Sequence, residues 1–234
     1  MNIIGSITSC YKEKFGIPRQ PGLVPEAQAV LCIYPPYDED EAFEGLSQFS
    51  HIWIVFMFHG IEQGKWSPTV RPPRLGGNQR LGIFATRSPF RPNPIGLSVV
   101  ELVSIDRHEG CLQLILKGGD FLDGTPVLDI KPYIPYADVR EQAQAGYASL
   151  SPDVQLEVEF LQAAKDYCES RKDVDLVTLI SQVLACDPRP AYCVENPERA
   201  DFAMRLLNVD VKWRHRNDTV IVTDIIEIAG TPGD

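Results

Sequence analysis

The sequence lacks the motifs that would assign it to a common enzyme class. It contains neither Gly-x-Gly-x-x-Gly nor Gly-x-x-x-x-Gly-Lys-Ser/Thr, the glycine-rich loops that cradle dinucleotides and nucleoside phosphates. No serine lies in a Gly-x-Ser-x-Gly elbow, so a hydrolase triad of Ser88, His59 and Asp129 is left as a third alternative. No apolar run approaches the ~20 residues that span a bilayer. The first residues also lack the basic and apolar regions of a leader, so we expect a cytoplasmic chain without membrane association.

Cysteine and histidine are sparse and lack metal-binding spacing. The six cysteines, at positions 10, 32, 111, 168, 186 and 193, include no Cys-x-x-Cys pair. The four histidines lack the helical spacing of metal ligands. We therefore expect reduced thiols, with neither a disulfide nor a metal.

Acidic residues are absent from one long segment of an otherwise acidic chain. The 234 residues carry a net charge of −10, yet no Asp or Glu occurs between Gln63 and Val100. That segment carries six positive charges, at Lys65, Arg71, Arg74, Arg80, Arg87 and Arg91. Such segregation favours a local anion-binding surface. The alternative is that folding scatters these six charges over the surface.

Within that segment, residues 84–98 form the most distinctive loop of the chain. Two arginines, three prolines, Ser88 and Asn93 lie here between two apolar runs. Proline fixes the backbone, so the pattern predicts a stiff polar loop joining two buried strands. Binding sites are often built on such loops. The alternative is a proline-rich turn whose arginines face solvent.

The first 135 residues predict a mostly β domain. We predict strands at residues 3–8, 29–34, 51–59, 80–86, 97–103, 111–117 and 127–133, with a short helix at 38–46. The strand at 51–59 is apolar on both faces, which is typical of a central strand. His59 ends it and is either a site residue or an ordinary capped or core histidine.

The strand at 127–133 predicts a polar face. Alternation places Asp129, Lys131 and Tyr133 on one side, which gathers a carboxylate, an ammonium and a phenol. This face is either a catalytic or cofactor-binding wall or a half-exposed strand with a solvated face.

A second, smaller unit follows a polar, alanine-rich linker at about residues 138–147. We predict a strand from Val154 to Phe160, helices at 161–169 and 173–186, and a hairpin of residues 202–213 and 219–228. The sequence thus predicts a mostly β domain at residues 1–140 and an α+β accessory domain at 148–234.

Five sequence blocks resemble the TsaA/TrmO-like family of tRNA methyltransferases. They are residues 18–23, 49–59, 70–77, 84–98 and 123–133, in that order. Residues 187–192 and 211–214 resemble the extra C-terminal domain of longer bacterial members. The resemblance implies a small single-sheet β-barrel that binds S-adenosylmethionine without a Rossmann sheet and works as a homodimer. The implied reaction methylates the exocyclic nitrogen of N(6)-threonylcarbamoyladenosine beside the anticodon of a tRNA, namely a threonine tRNA.

The resemblance also suggests roles for individual residues. The implied cofactor contacts are Pro21, Gly22, Leu23, His59, Gly60, Arg87, Leu97, Leu122, Asp123, Gly124 and Thr125. We assign proton acceptance to Asp129 or Tyr133 and contact with the carbonyl or carboxylate of the modified base to Lys131. Arg71, Arg74, Arg80 and Arg91 are assigned to the anticodon stem-loop. The alternative class is an RNA- or nucleotide-binding barrel without turnover.

Overall fold

Six antiparallel strands close into a barrel that forms most of the N-terminal half. The computed structural model describes residues 1–62, 64–149, 156–189, 201–216 and 218–228. The barrel strands are β1 (Gly5–Ser9), β2 (Gln28–Ile33), β3 (His51–Met57), β6 (Ile95–His108), β7 (Cys111–Lys117) and β8 (Thr125–Pro132). Their order around the barrel is β1-β2-β7-β6-β3-β8. The predicted fold class, a mostly β chain with a single-sheet barrel and a smaller α+β domain, is confirmed.

The barrel closes because one face of every strand is apolar. In β3, Ile52, Ile54 and Phe56 are buried, while the residues between them are exposed or half-buried. The same alternation buries Leu112, Leu114 and Leu116 in β7. Inward-facing aliphatic side chains fill the interior, so the barrel has a packed core and its surface carries the polar chemistry.

Several short elements lie outside the barrel strands. β4 (Thr69–Val70) and β5 (Leu81–Gly82) form a two-stranded ribbon within the acid-free segment, and α1 (Pro135–Asp138) follows β8. Short 3-10 turns cover Asp40–Phe43, Leu46–Gln48, Pro73–Leu75, Ile83–Ala85 and Gly146–Ala148.

A four-stranded sheet and two helices form the C-terminal domain. Its elements are β9 (Glu157–Phe160), α2 (Gln162–Ser170), α3 (Leu176–Ala185), β10 (Asp201–Leu206), β11 (Val209–Arg216) and β12 (Thr219–Glu227). The sheet order is β10-β11-β12-β9, and only the β9–β12 pair is parallel among the pairs described. None of the described helices has the length and apolar character that crossing a membrane requires.

The second hydrophobic core combines residues from both halves of the chain. Leu179, Val183, Val211 and Trp213 pack there with other C-terminal side chains. Cys10, Tyr11, Val24 and Ala27 from the long β1–β2 loop are buried in the same core. The loop that joins two barrel strands is therefore also part of the C-terminal domain's interior.

The strands expected at 51–59 and 97–103 exist with other bounds, since β3 ends at Met57 and β6 runs from Ile95 to His108. Three further predicted elements were wrong in kind. The strand expected at residues 80–86 is only β5 followed by the 3-10 turn Ile83–Ala85, because Thr86 bonds back to the Ile83 carbonyl through both its N–H (3.1 Å) and its hydroxyl (2.9 Å). The strand expected at 202–213 is two strands, since Leu207 adopts a positive φ of 54° and turns the chain. The helix expected at 38–46 is the 3-10 turn Asp40–Phe43.

The expectation that all cysteines are reduced was also wrong. Cys32 and Cys111 form a disulfide across β2 and β7, with their Cα atoms 6.3 Å apart. Cys32 pairs directly with Gln113, so Cys111 is its diagonal neighbour on the same face of the sheet. Cys10, Cys168 and Cys186 are free. Position 193, like Val154, Pro190 and Asn217, lies outside the described residues.

Candidate functional site

Most of the predicted cofactor residues lie at one end of the barrel, here called the site end. The C-terminal end of β3 and the N-terminal ends of β6 and β8 meet there, because β3 pairs antiparallel with both neighbours. β1 ends beside them, with Ile7 opposite Thr125. Four strand ends therefore converge where the loops that carry the predicted residues begin.

The turn of residues 122–125 is fixed at the site end by its neighbours. His59 Nε2 lies 3.2 Å from the Asp123 carbonyl oxygen, and the Gly124 N–H donates to the Ile7 carbonyl over 2.8 Å. The Thr125 hydroxyl donates to the Leu122 carbonyl over 2.5 Å, which closes the turn. A positive φ of 76° at Gly124 explains why glycine is needed there.

The carboxylate of Asp123 has two partners. Its Oδ1 accepts from the Ser9 N–H over 2.8 Å, and its Oδ2 pairs with Lys12 Nζ at 2.9 Å. Both contacts come from the β1 end and the loop that follows it. Asp123 therefore orders the turn and holds Lys12 beside it.

Glycines allow the neighbouring loops to approach this turn. A Cβ on Gly60 would lie 2.7 Å from Lys14 Cε and 3.1 Å from Leu122 Cδ2, so the end of the Lys14 side chain would have to shift to admit it. The Gly22 N–H donates to the Gly118 carbonyl over 2.8 Å, which brings residues 21–23 to the segment that leads into the turn. No heavy atom lies within 4 Å of the position that a Cβ on Gly22 would take, so space is open beside it.

Arg87 connects the stiff loop to the same end of the barrel. Its Nη1 donates to Gln20 Oε1, next to Pro21. It also lies close enough to Asp120 to favour the ionised form of that carboxyl. Asp120 accepts a hydrogen bond of 2.6 Å from the Ser98 hydroxyl, and burial, the largest effect, raises its pKa. Arg87, Ser98 and Asp120 thus link residues 20–23, β6 and the 122–125 turn.

Leu97 lies on the outer face of the barrel rather than in this cluster. It pairs with Val55, which in turn pairs with Asp129, so the three residues form a row across β6, β3 and β8. Leu97 is 52% exposed, which leaves an apolar side chain open on the outer surface. The row lies two residues along β3 from its C-terminal end.

The three predicted catalytic residues share this outer face. Lys131 Nζ lies 2.9 Å from Asp129 Oδ2, and Asp129 Oδ1 accepts from the Ile130 N–H over 2.9 Å. The Tyr133 ring packs against Trp53, with ring centroids 5.9 Å apart. Asp129 is nearest the site end and Tyr133 is farthest from it, because Tyr133 bonds to His51 at the other end of β3.

The arginines assigned to RNA differ in their surroundings. Arg71, Arg74 and Arg80 are exposed on the loop that surrounds β4 and β5. Arg91 instead donates to the carbonyls of Thr86 (2.7 Å) and Ile83 (3.2 Å), and its guanidinium lies over the Phe84 ring. Arg91 therefore shapes the stiff loop in addition to contributing charge.

The structure does not support the hydrolase alternative. The Ser88 hydroxyl accepts from the Phe90 N–H, His59 contacts the Asp123 carbonyl, and Asp129 pairs with Lys131. The described residues contain no group of three or more His, Cys, Asp or Glu side chains that could hold a metal ion. An open concavity at the acidic turn Asp40–Phe43 shares no residue with the predicted site.

Four site-end residues were missed by the sequence analysis: Lys12, Gln20, Ser98 and Asp120. Three of them carry a signal that could have found them. Gln20 and Ser98 lie inside two of the family-like blocks, and Asp120 lies three residues before another. Lys12 carries no such signal, because its place depends on the folded β1–β2 loop.

Comparison with known proteins identifies the family. The tRNA-methyltransferase O N-terminal domain matches residues 6–139, and the TrmO C-terminal domain matches residues 153–228. An Escherichia coli tRNA (adenine(37)-N6)-methyltransferase is 49% identical over 90% of this chain and 91% of its own. A putative S-adenosylmethionine-dependent methyltransferase, RcsF, of Pseudomonas aeruginosa is 47% identical over 95% of both chains.

Solved structures agree with the sequence comparisons. The crystal structure of TrmO from Pseudomonas aeruginosa superposes with a TM-score of 0.79 and 42% sequence identity, covering 96% of each chain. The family matches span both domains, and the structural likeness spans nearly the whole chain. The predicted resemblance is confirmed, and the chain belongs to the TrmO family.

Proposed function

We propose that this protein is an S-adenosylmethionine-dependent methyltransferase that methylates N6 of adenosine 37 in tRNA. The observation that carries the proposal is the likeness, over nine-tenths of both chains, to a tRNA (adenine(37)-N6)-methyltransferase. The clustering of His59, Gly22, Arg87 and the 122–125 turn at one end of the barrel supports it. Because tRNA is its substrate, we place the enzyme in the cytoplasm.

The finer proposal is that the methyl group goes to N(6)-threonylcarbamoyladenosine, in a threonine tRNA. Its ureido nitrogen is a poor nucleophile until it loses a proton, so the site needs a proton acceptor and good alignment. In an in-line displacement the nitrogen forms a bond to the methyl carbon while the bond from that carbon to sulfur breaks. Asp129 or Tyr133 takes the proton from nitrogen. Lys131 binds the carbonyl or carboxylate of the modified base.

S-Adenosylmethionine supplies an electrophilic methyl group on a sulfonium. We propose that Pro21, Gly22, Leu23, His59, Gly60, Arg87, Leu97, Leu122, Asp123, Gly124 and Thr125 hold it. The fit rests on chemistry: glycine turns expose main-chain donors and acceptors, and a guanidinium suits the carboxylate of an amino acid. The open space beside Gly22 agrees with a ligand there.

The acid-free segment is the proposed surface for the anticodon stem-loop. Arg71, Arg74 and Arg80 are exposed on it, and Arg91 holds the neighbouring loop. Phosphate groups are attracted to such a strip, while the acidic remainder of the chain repels them. We keep the proposed division into a methyltransferase domain at residues 1–140 and an accessory domain at 148–234 that is a candidate for contacting tRNA.

We propose a homodimer because residues assigned to one site lie far apart within a single chain. Tyr133 is bonded to His51 at the start of β3, whereas His59 follows its far end, and β3 itself spans ~20 Å at ~3.3 Å per residue. Reacting atoms must approach within ~3.5 Å, and this separation within one chain favours a Tyr133 supplied by a second subunit. A second copy packed on the outer face of β6, β3 and β8 would bring its Tyr133 to this chain's site end. The exposed Leu97 and Val103 on β6 favour burial of that face.

A transfer assay tests the reaction. Purified protein is incubated with methyl-labelled S-adenosylmethionine and with tRNA that carries or lacks the threonylcarbamoyl group. We expect label only in the modified tRNA. Binding of tRNA without transfer would instead favour a non-catalytic RNA- or nucleotide-binding barrel.

Variants in the same assay test the residue roles. Asp129→Asn and Lys131→Ala should lower the single-turnover rate by about 100-fold or more, the usual effect of losing a positioned proton acceptor or electrostatic partner. Glu159→Gln, on an exposed position of β9 in the C-terminal sheet, is the control and should keep the rate. Full single-turnover methylation by both Asp129→Asn and Lys131→Ala would rule out their assignment.

A further inference from the structure

The segment of residues 11–15 lies between the site end of the barrel and the C-terminal sheet. Tyr11 forms a parallel bridge with Leu122 and an antiparallel bridge with Leu206. Its carbonyl accepts from the Asp123 N–H over 2.9 Å, and the neighbouring Cys10 carbonyl accepts from the Leu207 N–H over 2.7 Å. One short stretch of backbone thus joins the 122–125 turn to β10.

Two side chains of this segment point towards the site end. Lys12 Nζ lies 2.9 Å from Asp123 Oδ2, and Lys14 packs against Gly60, with its Cε 2.7 Å from where a Cβ would lie. Both contacts are made to residues assigned to the cofactor. The side chains of residues 12 and 14 therefore face the site end of the barrel.

The alternate side chains point towards the C-terminal domain. Glu13 Oε1 accepts from the Arg205 N–H over 2.9 Å. The Phe15 ring stacks on Trp213, with centroids 5.7 Å apart and an interplanar angle of 11°. Residues 13 and 14 are bends and residue 15 begins a turn, so the contacts of residues 13 and 15 restrain the short stretch of backbone that carries residues 12 and 14.

The C-terminal domain holds the far end of the same loop as well. Gln182 Oε1 on α3 accepts from the Glu26 N–H over 2.9 Å, and Cys186 Sγ lies 3.8 Å from the Leu23 carbonyl oxygen. Val24 and Ala27 are buried in the C-terminal core. Pro21, Gly22 and Leu23 thus lie in a stretch that is anchored on both sides.

We propose that the C-terminal domain positions the cofactor site through this loop, with Phe15, Glu13 and Gln182 as positioning residues. A loop of this length without regular structure loses much conformational entropy on ordering, so contacts must hold it. The barrel holds this loop at Gly118 and Asp123, and the C-terminal domain holds it through Arg205 and Gln182 as well. The inference rests on the cofactor site of the proposed function.

A matched pair of ring deletions tests this inference. Phe15 and Phe202 both stack on Trp213, with centroids 5.7 and 5.8 Å away, but only Phe15 belongs to the loop. The full-length variants Phe15→Ala and Phe202→Ala are compared by calorimetric titration with S-adenosylhomocysteine, by thermal melting and by tRNA binding. If loss of the Phe15 ring leaves the loop in its binding-competent conformation in about a tenth of the molecules, the Kd of Phe15→Ala for S-adenosylhomocysteine rises about tenfold. Phe202→Ala should lower the Tm comparably and keep the Kd within about twofold, and neither should change tRNA affinity through this loop.

A second pair leaves the loop sequence intact. Gln182→Ala removes the acceptor for the Glu26 N–H, whereas Ser181→Ala on the same helix removes only a bond to Val177. Gln182→Ala should weaken S-adenosylhomocysteine binding, Gln182→Glu should restore it by keeping an acceptor, and Ser181→Ala should bind normally. This pair decides the question if Phe15→Ala does not fold.

The outcomes separate this inference from the proposed site. Equal Kd values for Phe15→Ala and Phe202→Ala, or normal binding by Gln182→Ala, would overturn the positioning role. Unchanged binding by both His59→Ala and Arg87→Ala would instead overturn the proposed cofactor site. Weaker tRNA binding by Phe15→Ala, with an unchanged S-adenosylhomocysteine Kd, would assign the loop to the RNA and contradict the inference.

Discussion

Tyr133 donates its main-chain N–H to the carbonyl oxygen of His51 over 3.0 Å, at the end of β3 that lies away from His59. Tyr133 and His59 were assigned to one site, yet the whole of β3 separates them within a chain. In the proposed twofold homodimer, each site would take its phenol from the partner subunit.

Complementation between inactive variants tests that arrangement. His59→Ala and Tyr133→Phe are each assayed alone and after mixing, dissociation and reassociation. In a heterodimer one of the two composite sites has both native residues, so the mixture should regain roughly a quarter of wild-type activity, given random twofold pairing. No recovery would place the whole site in one chain, and full activity of Tyr133→Phe alone would remove Tyr133 from the reaction.

The exposed arginines of the acid-free segment should contribute to tRNA affinity through charge. Arg71→Ala is expected to weaken binding a few-fold and to reduce the slope of log K against log salt by about one, because one phosphate contact is lost. Arg140→Ala, which also removes one exposed positive charge, is the control outside the segment. Binding titrations from low to moderate salt measure both slopes. Equal slopes for Arg71→Ala and Arg140→Ala would contradict the proposed RNA surface.

Gly96 is required by the packing inside the site end. A Cβ at this position would lie 2.2 Å from Phe56 Cζ, and the Phe56 ring is held by Phe58 and Phe121 at centroid distances of 5.1 and 5.2 Å. Gly96→Ala should therefore lower the free energy of unfolding by about 1–3 kcal/mol, the usual effect of overpacking a core. Urea titration measures the change.

Gly82 provides the matched control for that substitution. No heavy atom lies within 4 Å of the position that a Cβ would take on Gly82, and its φ of −59° suits any residue. Gly82→Ala should leave the free energy of unfolding unchanged or slightly higher. A loss for Gly82→Ala as large as that for Gly96→Ala would show that alanine acts through the backbone rather than through Phe56.

The elements that could be predicted from sequence are those whose signal is local. Alternation gave β7 with its exact bounds and β3 to within two residues, and it placed Asp129 and Lys131 on one strand face, where they form an ion pair. The barrel order could not be predicted in the same way, because β2–β7 and β1–β8 pairings join residues far apart in the chain. The Cys32–Cys111 bond was missed for the same reason, since its sequence separation is 79.

The candidate site shows the same limit. Family-like blocks supplied His59, Arg87 and the 122–125 turn, which the fold brings to one end of the barrel. The blocks gave no sign that Tyr133 lies at the opposite end of β3, or that the C-terminal domain anchors residues 10–27. Both facts follow from long-range packing that periodicity in a single chain does not encode.

Asp120 should make stability depend on pH at the site end. Burial raises the pKa of its carboxyl, so the folded state favours the protonated form relative to the unfolded chain. This contribution to stability is fully present below the unfolded-state pKa and is lost as the pH rises through the higher, folded-state pKa. Asp120→Asn, which does not ionise, should therefore gain Tm relative to the wild type as the pH rises from about 3 to 7.

Asp138 is the control of opposite sign. Hydrogen bonds from the Ile134 N–H (2.8 Å) and from Trp53 Nε1 (3.1 Å) lower the pKa of its carboxyl. Its contribution is present above the unfolded-state pKa and is lost as the pH falls through the lower, folded-state pKa. Asp138→Asn should therefore be less stable than the wild type at pH about 7, and the difference should shrink on acidification. Melting curves of both variants are measured from neutral to acidic pH. At neutral pH, the Tm of Asp120→Asn should lie above that of the wild type and the Tm of Asp138→Asn below it. Tm differences of the same sign would show that loss of charge alone, rather than burial at Asp120, sets the effect.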